Sequence, residues 1–185
     1  MFWRLFRGRM WPVGRSAASP PNENAAWWRD ANAASAEPTP EAISRLHDLM
    51  ASPTGAPDEN ERQEEMIEGL RGLLALTDNG HMPVVPTQHR VIGTDVCHFV
   101  VPAALVDPSN VAGKLFLTSG RIVFAGSSVV SLPWHRVHRI DRADRDLAIM
   151  IAGTVNEIVI RCNTYGDALA ALHLAKRLRQ PGARR

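Results

Sequence analysis

The sequence predicts a mainly β protein with flanking helices, in which a meander of short antiparallel strands is closed by one amphipathic helix. Three observations support this. From about residue 97 to 162 the apolar residues alternate with period two, and turn signals recur about every 8 to 14 residues with no helical stretch between them. On both sides of that region the apolar spacing becomes helical. The chain has 185 residues, 45% of them hydrophobic and 22% charged, which is enough for one domain with an appendage. Consecutive strands without intervening helices favour an antiparallel sheet folded over itself.

In chain order, the division expected is a leader and linker at 1–38, a helical segment at 39–78, the β domain at 79–180 and a short tail at 181–185. The first 22 residues hold Arg4, Arg7, Arg9 and Arg15 and no acid, a local charge of +4. Trp3, Phe6 and Trp11 interleave with Arg4, Arg7 and Arg9, a pattern suited to contact with a partner or an anionic lipid surface. No apolar run of about 7 to 15 residues follows the basic start, so a secretory signal is not expected. A plain tail and a targeting segment remain open readings. Residues 16–40 are rich in Ala, Ser, Pro and Asn, a composition expected to stay disordered. Trp27 and Trp28 are out of place there, and either dock onto the folded domain or meet a partner.

Thr39-Pro40 pairs an N-cap with a first-turn proline, and Ile43, Leu46, Leu49 and Met50 follow at helical spacing until Pro53. Asp58 opens a second helix whose early acids suit the positive end of the helix dipole. Its stripe of Met66, Ile67, Leu70, Leu73 and Leu74 must pack on something, either the sheet or a partner. Its charge run reads as a solvated face.

Asn79-Gly80 marks the change to period two. Cys97, Phe99 and Val101 form one face of a first strand. KLFLT at 114–118, Ser119-Gly120 and RIVFAG at 121–126 make a hairpin. SSVVSLPW, LAIMIA and EIVIRC supply further strands, six in all. Thr164 and Asp167 then have capping-box spacing, and Leu169, Leu172, Ala175 and Leu178 mark a helix that ends with Lys176, Arg177 and Arg179 before Pro181-Gly182.

Residues 113–137, GKLFLTSGRIVFAGSSVVSLPWHRV, resemble the signature of GRAM-like and bacterial PH-like domains, with Gly113, Leu115, Leu117, Thr118, Arg121, Ile122 and Phe124 in the matching places. The resemblance covers about residues 85 to 179. It implies a PH-like superfold: two nearly orthogonal antiparallel sheets, seven strands in all, capped at one end by the C-terminal helix. The seventh strand would come from Gln88–Ile92 or from a break within 130–140. The resemblance also implies a non-catalytic interaction or scaffolding module that binds a protein partner, with a peripheral membrane module as the alternative. Relatives that grip phosphoinositides place several Lys or Arg around the first hairpin loop, where phosphates need charge-assisted donors. Here residues 102–112 contain none, so strong headgroup binding at that loop is not expected.

Arg136, Arg139, Arg142 and Arg145 recur every third residue beside Trp134. In a strand this spacing alternates faces, and Asp141, Asp144 and Asp146 cancel three of the charges, so a solvated segment is expected, with Arg136 and Arg139 kept as candidate partner contacts. The same face argument separates His135 from His138, and no Cys-x-x-Cys pair exists, so neither a metal nor another cofactor is expected. No phosphate-cradling glycine loop or nucleophile elbow is present, and an enzyme is not expected. A formal net charge of +2 gives no footprint for nucleic acid. Two distant cysteines fit a reducing, cytoplasmic setting, with peripheral membrane contact through the leader. Oligomeric state is not legible.

Overall fold

The computed structural model describes residues 23–50, 57–107, 110–155 and 157–180. The basic leader at 1–22 and the tail at 181–185 lie outside the described residues. Helices α1 (Glu23–Ala34), α2 (Pro40–Met50) and α3 (Pro57–Asp78) precede strands β1 (Cys97–Asp107), β2 (Val111–Thr118), β3 (Arg121–Ala125), β4 (Val129–Pro133), β5 (Val137–Ala143), β6 (Asp146–Ile151) and β7 (Glu157–Cys162), and α4 (Tyr165–Arg179) closes the fold.

The strands are antiparallel in the order β4-β3-β2-β1-β7-β6-β5. The seven antiparallel strands expected are present, and their two halves share β1 in one continuous hydrogen-bonded order. Residues Ala103–Leu105 pair with Gly113–Val111 of β2 on one edge and with Cys162–Ile160 of β7 on the other. An 11-residue strand is long enough to serve both halves. The sheet stays open, since β4 and β5 share no ladder among the described residues. The seventh strand arises from the second alternative. A single 3-10 turn at Trp134–Arg136 divides the run into β4 and β5, while Gln88–Ile92 forms no strand.

Helix α4 lays Ala168, Ala171, Leu174, Ala175 and Leu178 on a core formed by both halves of the sheet, including Leu115, Phe124, Trp134, Ile149 and Ile160. The residues of β2 and β3 facing the other way, Phe116 and Val123, are also buried, beneath Val85, Val91 and Ile92 of the segment before β1. Coverage on both faces explains the unbroken burial of Leu115–Thr118 and Ile122–Phe124, where a one-sided hairpin would alternate. Asp146 and Arg161 stand opposite each other in the β6–β7 register and pair at 2.7 and 2.8 Å.

The expected linker is the clearest departure from the sequence reading. Residues 23–34 form α1, with Trp27, Ala31 and Ala34 buried in a second core with Ile43, Leu46, Met66 and Leu70. The i, i+4, i+7 spacing of those three residues is a helical stripe, and the alanines allow α1 to approach closely. The helical core continues into Tyr165 and Leu169 of α4. Helix α3 therefore packs mainly on α4, and Leu76 near its C-terminal end also touches the core of the sheet. At the crossing, a Cβ on Gly69 would lie 2.9 Å from the Cα and N of Gly166.

Two glycines of α3 should consequently respond in opposite directions. Gly69→Ala should destabilise the protein by about 1–3 kcal/mol through overpacking against backbone. Gly72→Ala, whose Cβ meets nothing within 4 Å, should stabilise by up to about 1 kcal/mol. Urea denaturation midpoints check both, and equal midpoints for the two variants would contradict this crossing.

Candidate functional site

The polar signature residues, Thr118 and Arg121, meet at the closed end of the β2–β3 hairpin. Thr118 is fully buried, and its hydroxyl accepts from the N–H groups of Arg121 (3.0 Å) and Gly120 (3.3 Å). Its single proton has two acceptors in range, the Arg121 carbonyl at 2.8 Å and an Asp95 carboxylate oxygen at 3.1 Å. The Trp134 indole donates to the Thr118 carbonyl at 2.8 Å. Arg121 donates through Nε to Asp95 (2.9 Å) and through Nη2 to the Ile92 carbonyl (3.0 Å). Leu115, Leu117 and Phe124 lie in the core. Gly113 is required by space, since a Cβ there would stand 2.4 Å from the Ala125 carbonyl oxygen. The polar groups of the signature are thus used to pin the segment before β1 onto the sheet. Asp95, the partner of both Thr118 and Arg121, carried no signal in the sequence because it lies more than 20 residues upstream.

A second polar cluster joins the helices to the β domain. The Tyr165 hydroxyl accepts from Arg62 Nε (3.3 Å) and Nη2 (3.0 Å). The Tyr165 ring stacks at 5.4 Å on Trp28, and the Arg145 guanidinium lies 5.0 Å from its centre. Glu65 accepts the Tyr165 N–H at 2.8 Å and pairs with Arg145. The Trp28 indole donates to Glu59, and that of Trp27 to the Leu46 carbonyl at 3.0 Å. Of the two alternatives for the tryptophans, docking on the folded domain or contact with a partner, the structure shows the first for both, and Trp27 at 4% exposure has no surface to offer. The arginine run also divides. Arg142 reaches Asn32 of α1 and Arg145 reaches Glu65 of α3, so these two tie helices to the β domain while remaining partly exposed. Arg139 is exposed, pairs with Asp141 at 2.6 Å and lines a basic concavity with Lys176 and Arg179; Arg136 is exposed on the 3-10 turn, outside that lining. The leader residues Trp3, Arg4, Phe6, Arg7, Arg9 and Trp11 lie outside the described residues.

An apolar concavity of about 560 Å³ lies along the α3–α4 crossing, on a floor of Leu76, Pro83, Val85, Phe99, Ala170 and Leu174. Glu65, Glu68 and Asp167 are its charged lining residues, and among the described residues that line it none is Lys or Arg. Glu65 is committed to Arg145 and Tyr165, whereas Glu68 is exposed. His98 also lines the groove. Its Nδ1 lies 2.7 Å from the Pro83 carbonyl, which can only accept, so Nδ1 carries a proton. An apolar floor with acceptors around it suits a ligand that is apolar in its body and cationic at its edge.

Neither cysteine is poised for chemistry. Burial, followed by the nearby carboxylates of Asp167 and Asp146, pushes the Cys162 thiol up to about 12. Burial also raises Cys97, partly offset by its contact with the Phe99 backbone. No group of three or more His, Cys, Asp and Glu able to hold a metal ion occurs among the described residues. No helix among them is long and apolar enough to cross a membrane.

Seven antiparallel strands capped by a C-terminal helix that contacts both halves of the sheet have the layout that the PH-like resemblance implied. Solved structures with a similar course include the N-terminal PH domain of Vps36, 15% identical over 52% of this chain and 90% of that one, with a TM-score of 0.41. The C-terminal domain of an unknown protein from Leishmania infantum is 14% identical over 62% and 99%, at 0.40. The linker-DH/PH domains of p115-RhoGEF are 12% identical over 76% of this chain and 55% of that one, also at 0.40. Likenesses this distant carry no function to this chain. No protein-family model and no curated protein matches the sequence, so the GRAM-like resemblance rests on the signature at residues 113–124.

Thr118→Val should cost about 1–3 kcal/mol, because it leaves buried N–H groups without an acceptor. An unchanged urea midpoint would show the hydroxyl to be dispensable. The two thiols should resist Ellman's reagent at about pH 8 in the native protein and react at once in guanidinium chloride. Rapid native labelling of either would contradict the thiol burial described.

Proposed function

We propose that this chain is a non-catalytic PH-like interaction module that takes a basic, aromatic-rich segment of a protein partner into the groove between α3 and α4. The observation that carries this reading is the pairing of an apolar floor with a lining that holds three carboxylates and no Lys or Arg among the described residues. At about 560 Å³ the groove falls within the range of about 300–1,000 Å³ usual for ligand pockets, enough for one or two large side chains. An aromatic or aliphatic anchor would cover Phe99 and Leu174, while flanking arginines would reach Glu68 and Asp167. The charge arrangement disfavours acidic segments, since carboxylates brought beside Glu68 and Asp167 would repel.

Two further features support a binding role over catalysis. The polar residues of the signature are consumed by internal hydrogen bonds, and the thiols are held protonated by burial. The helical segment also contributes one wall of the groove, so it belongs to the binding surface as well as to the core.

Titration of a fluorescein-labelled peptide of alternating arginine and phenylalanine onto the full chain tests the reading. Saturable binding is expected, at least about tenfold weaker for the Glu68→Lys/Asp167→Asn variant and weakened by added salt. A glutamate–phenylalanine peptide should not bind. Equal binding of the basic peptide by the parent and the variant would sink the assignment of this groove.

A further inference from the structure

We infer that the groove has an occupant in the same chain: residues 2–11 of the basic leader. This rests on the groove reading above and adds the identity of one segment that fits it.

The first support is chemical. Residues 2–11, FWRLFRGRMW, alternate large apolar side chains (Phe2, Trp3, Leu5, Phe6, Met10 and Trp11) with Arg4, Arg7 and Arg9, and contain no acid. The groove presents the converse, an apolar floor with Glu68 and Asp167 at its edge. By contrast, the concavity at Arg139, Lys176 and Arg179 would repel the same arginines. Most of the charged side chains at the α1–α4 junction already have partners: Arg62 and Arg145 bind Tyr165 and Glu65, and Arg142 binds Asn32. Glu68 and Asp167 have no ion pair within the described chain, which leaves them for an incoming cation.

Reach is the second support. The Trp28 ring lies 5.4 Å from Tyr165, whose sequence neighbours Thr164 and Gly166 line the groove. Five residues of helix separate Trp28 from the start of α1, about 7.5 Å. Residues 12–22 then supply eleven residues, which span at most about 36–40 Å. The leader can therefore cross the α3–α4 crossing to the groove side with slack. A tethered segment on so short a connection has an effective concentration in the millimolar range. With an intrinsic Kd of about 0.1 mM, it would raise the apparent Kd of a competing probe about tenfold.

The test uses the same labelled arginine–phenylalanine peptide on three full-length chains: the parent, Arg4→Gln/Arg7→Gln/Arg9→Gln, and that triple variant with Glu68→Lys/Asp167→Asn added. Circular dichroism establishes that all three are folded. The expected result is about tenfold tighter probe binding in the triple variant than in the parent, independent of protein concentration, and lost when the groove charges are changed. Equal affinity in parent and triple variant, still lost on changing the groove, would overturn the leader as occupant and leave the groove reading standing. Equal affinity in all three chains would overturn both. Tightening that persists without Glu68 and Asp167 would place the leader elsewhere, and tightening that depends on protein concentration would make a second copy the occupant; either overturns the inference.

Discussion

The helical half of this molecule depends on the close crossing of α3 and α4 at Gly69 and Gly166, where the backbone-to-backbone approach leaves no room for a Cβ on Gly69. That approach brings Glu65 to the first turn of α4, where its carboxylate accepts the Tyr165 N–H and meets the positive end of the helix dipole. Tyr165 in turn becomes the centre on which Trp28, Arg62 and Arg145 gather. A side chain at Gly69 would push the helices apart and strain the contact between Glu65 and Tyr165. The same crossing has an open side, which is the groove. Core and candidate site are therefore two faces of one packing event.

The signature hairpin plays a complementary part in the β half. Its polar chemistry, a threonine and an arginine beside a tight turn, invites a ligand, yet its donors and acceptors are satisfied by Asp95, Ile92 and Trp134. What it accomplishes is to hold residues 84–96 across the outer face of β1–β3, burying Phe116 and Val123 from that side. A hairpin so covered can be apolar on both faces. This frees the inner face for α4, and α4 carries one wall of the groove.

Electrostatics then sort the surface. The arginines of β5 and the following turn are mostly drawn inward: Arg142 to α1 and Arg145 to Glu65, while Arg161 pairs across the β6–β7 register with Asp146. The cations of the last turn of α4 remain at the far end, where they complement the helix dipole. The groove, which runs along α4 from its first turn to Leu174, is lined by carboxylates and by no Lys or Arg among the described residues. A net charge of +2 thus conceals a basic end and an acidic end, and the basic leader is the strongest cationic segment available to the latter.

Much of this could be read locally. Period-two alternation located most of the strands, Thr164 and Asp167 marked the start of α4, and the stripe from Met66 to Leu74 identified the packing face of α3. Trp27, Ala31 and Ala34 already had helical spacing, but alanine is as common in linkers as in tightly packed helices, so composition concealed α1. The groove had no local signal, because its walls come from residues 65–76, 83–99 and 164–174, about a hundred positions apart at the extremes. By itself the sequence determined where helices and strands form, because backbone geometry imposes periods of 3.6 and 2 on any half-buried element. Only the tertiary structure decided which helix meets which and whether a polar residue is consumed or left available, because those outcomes depend on close approach and charge pairing between distant segments.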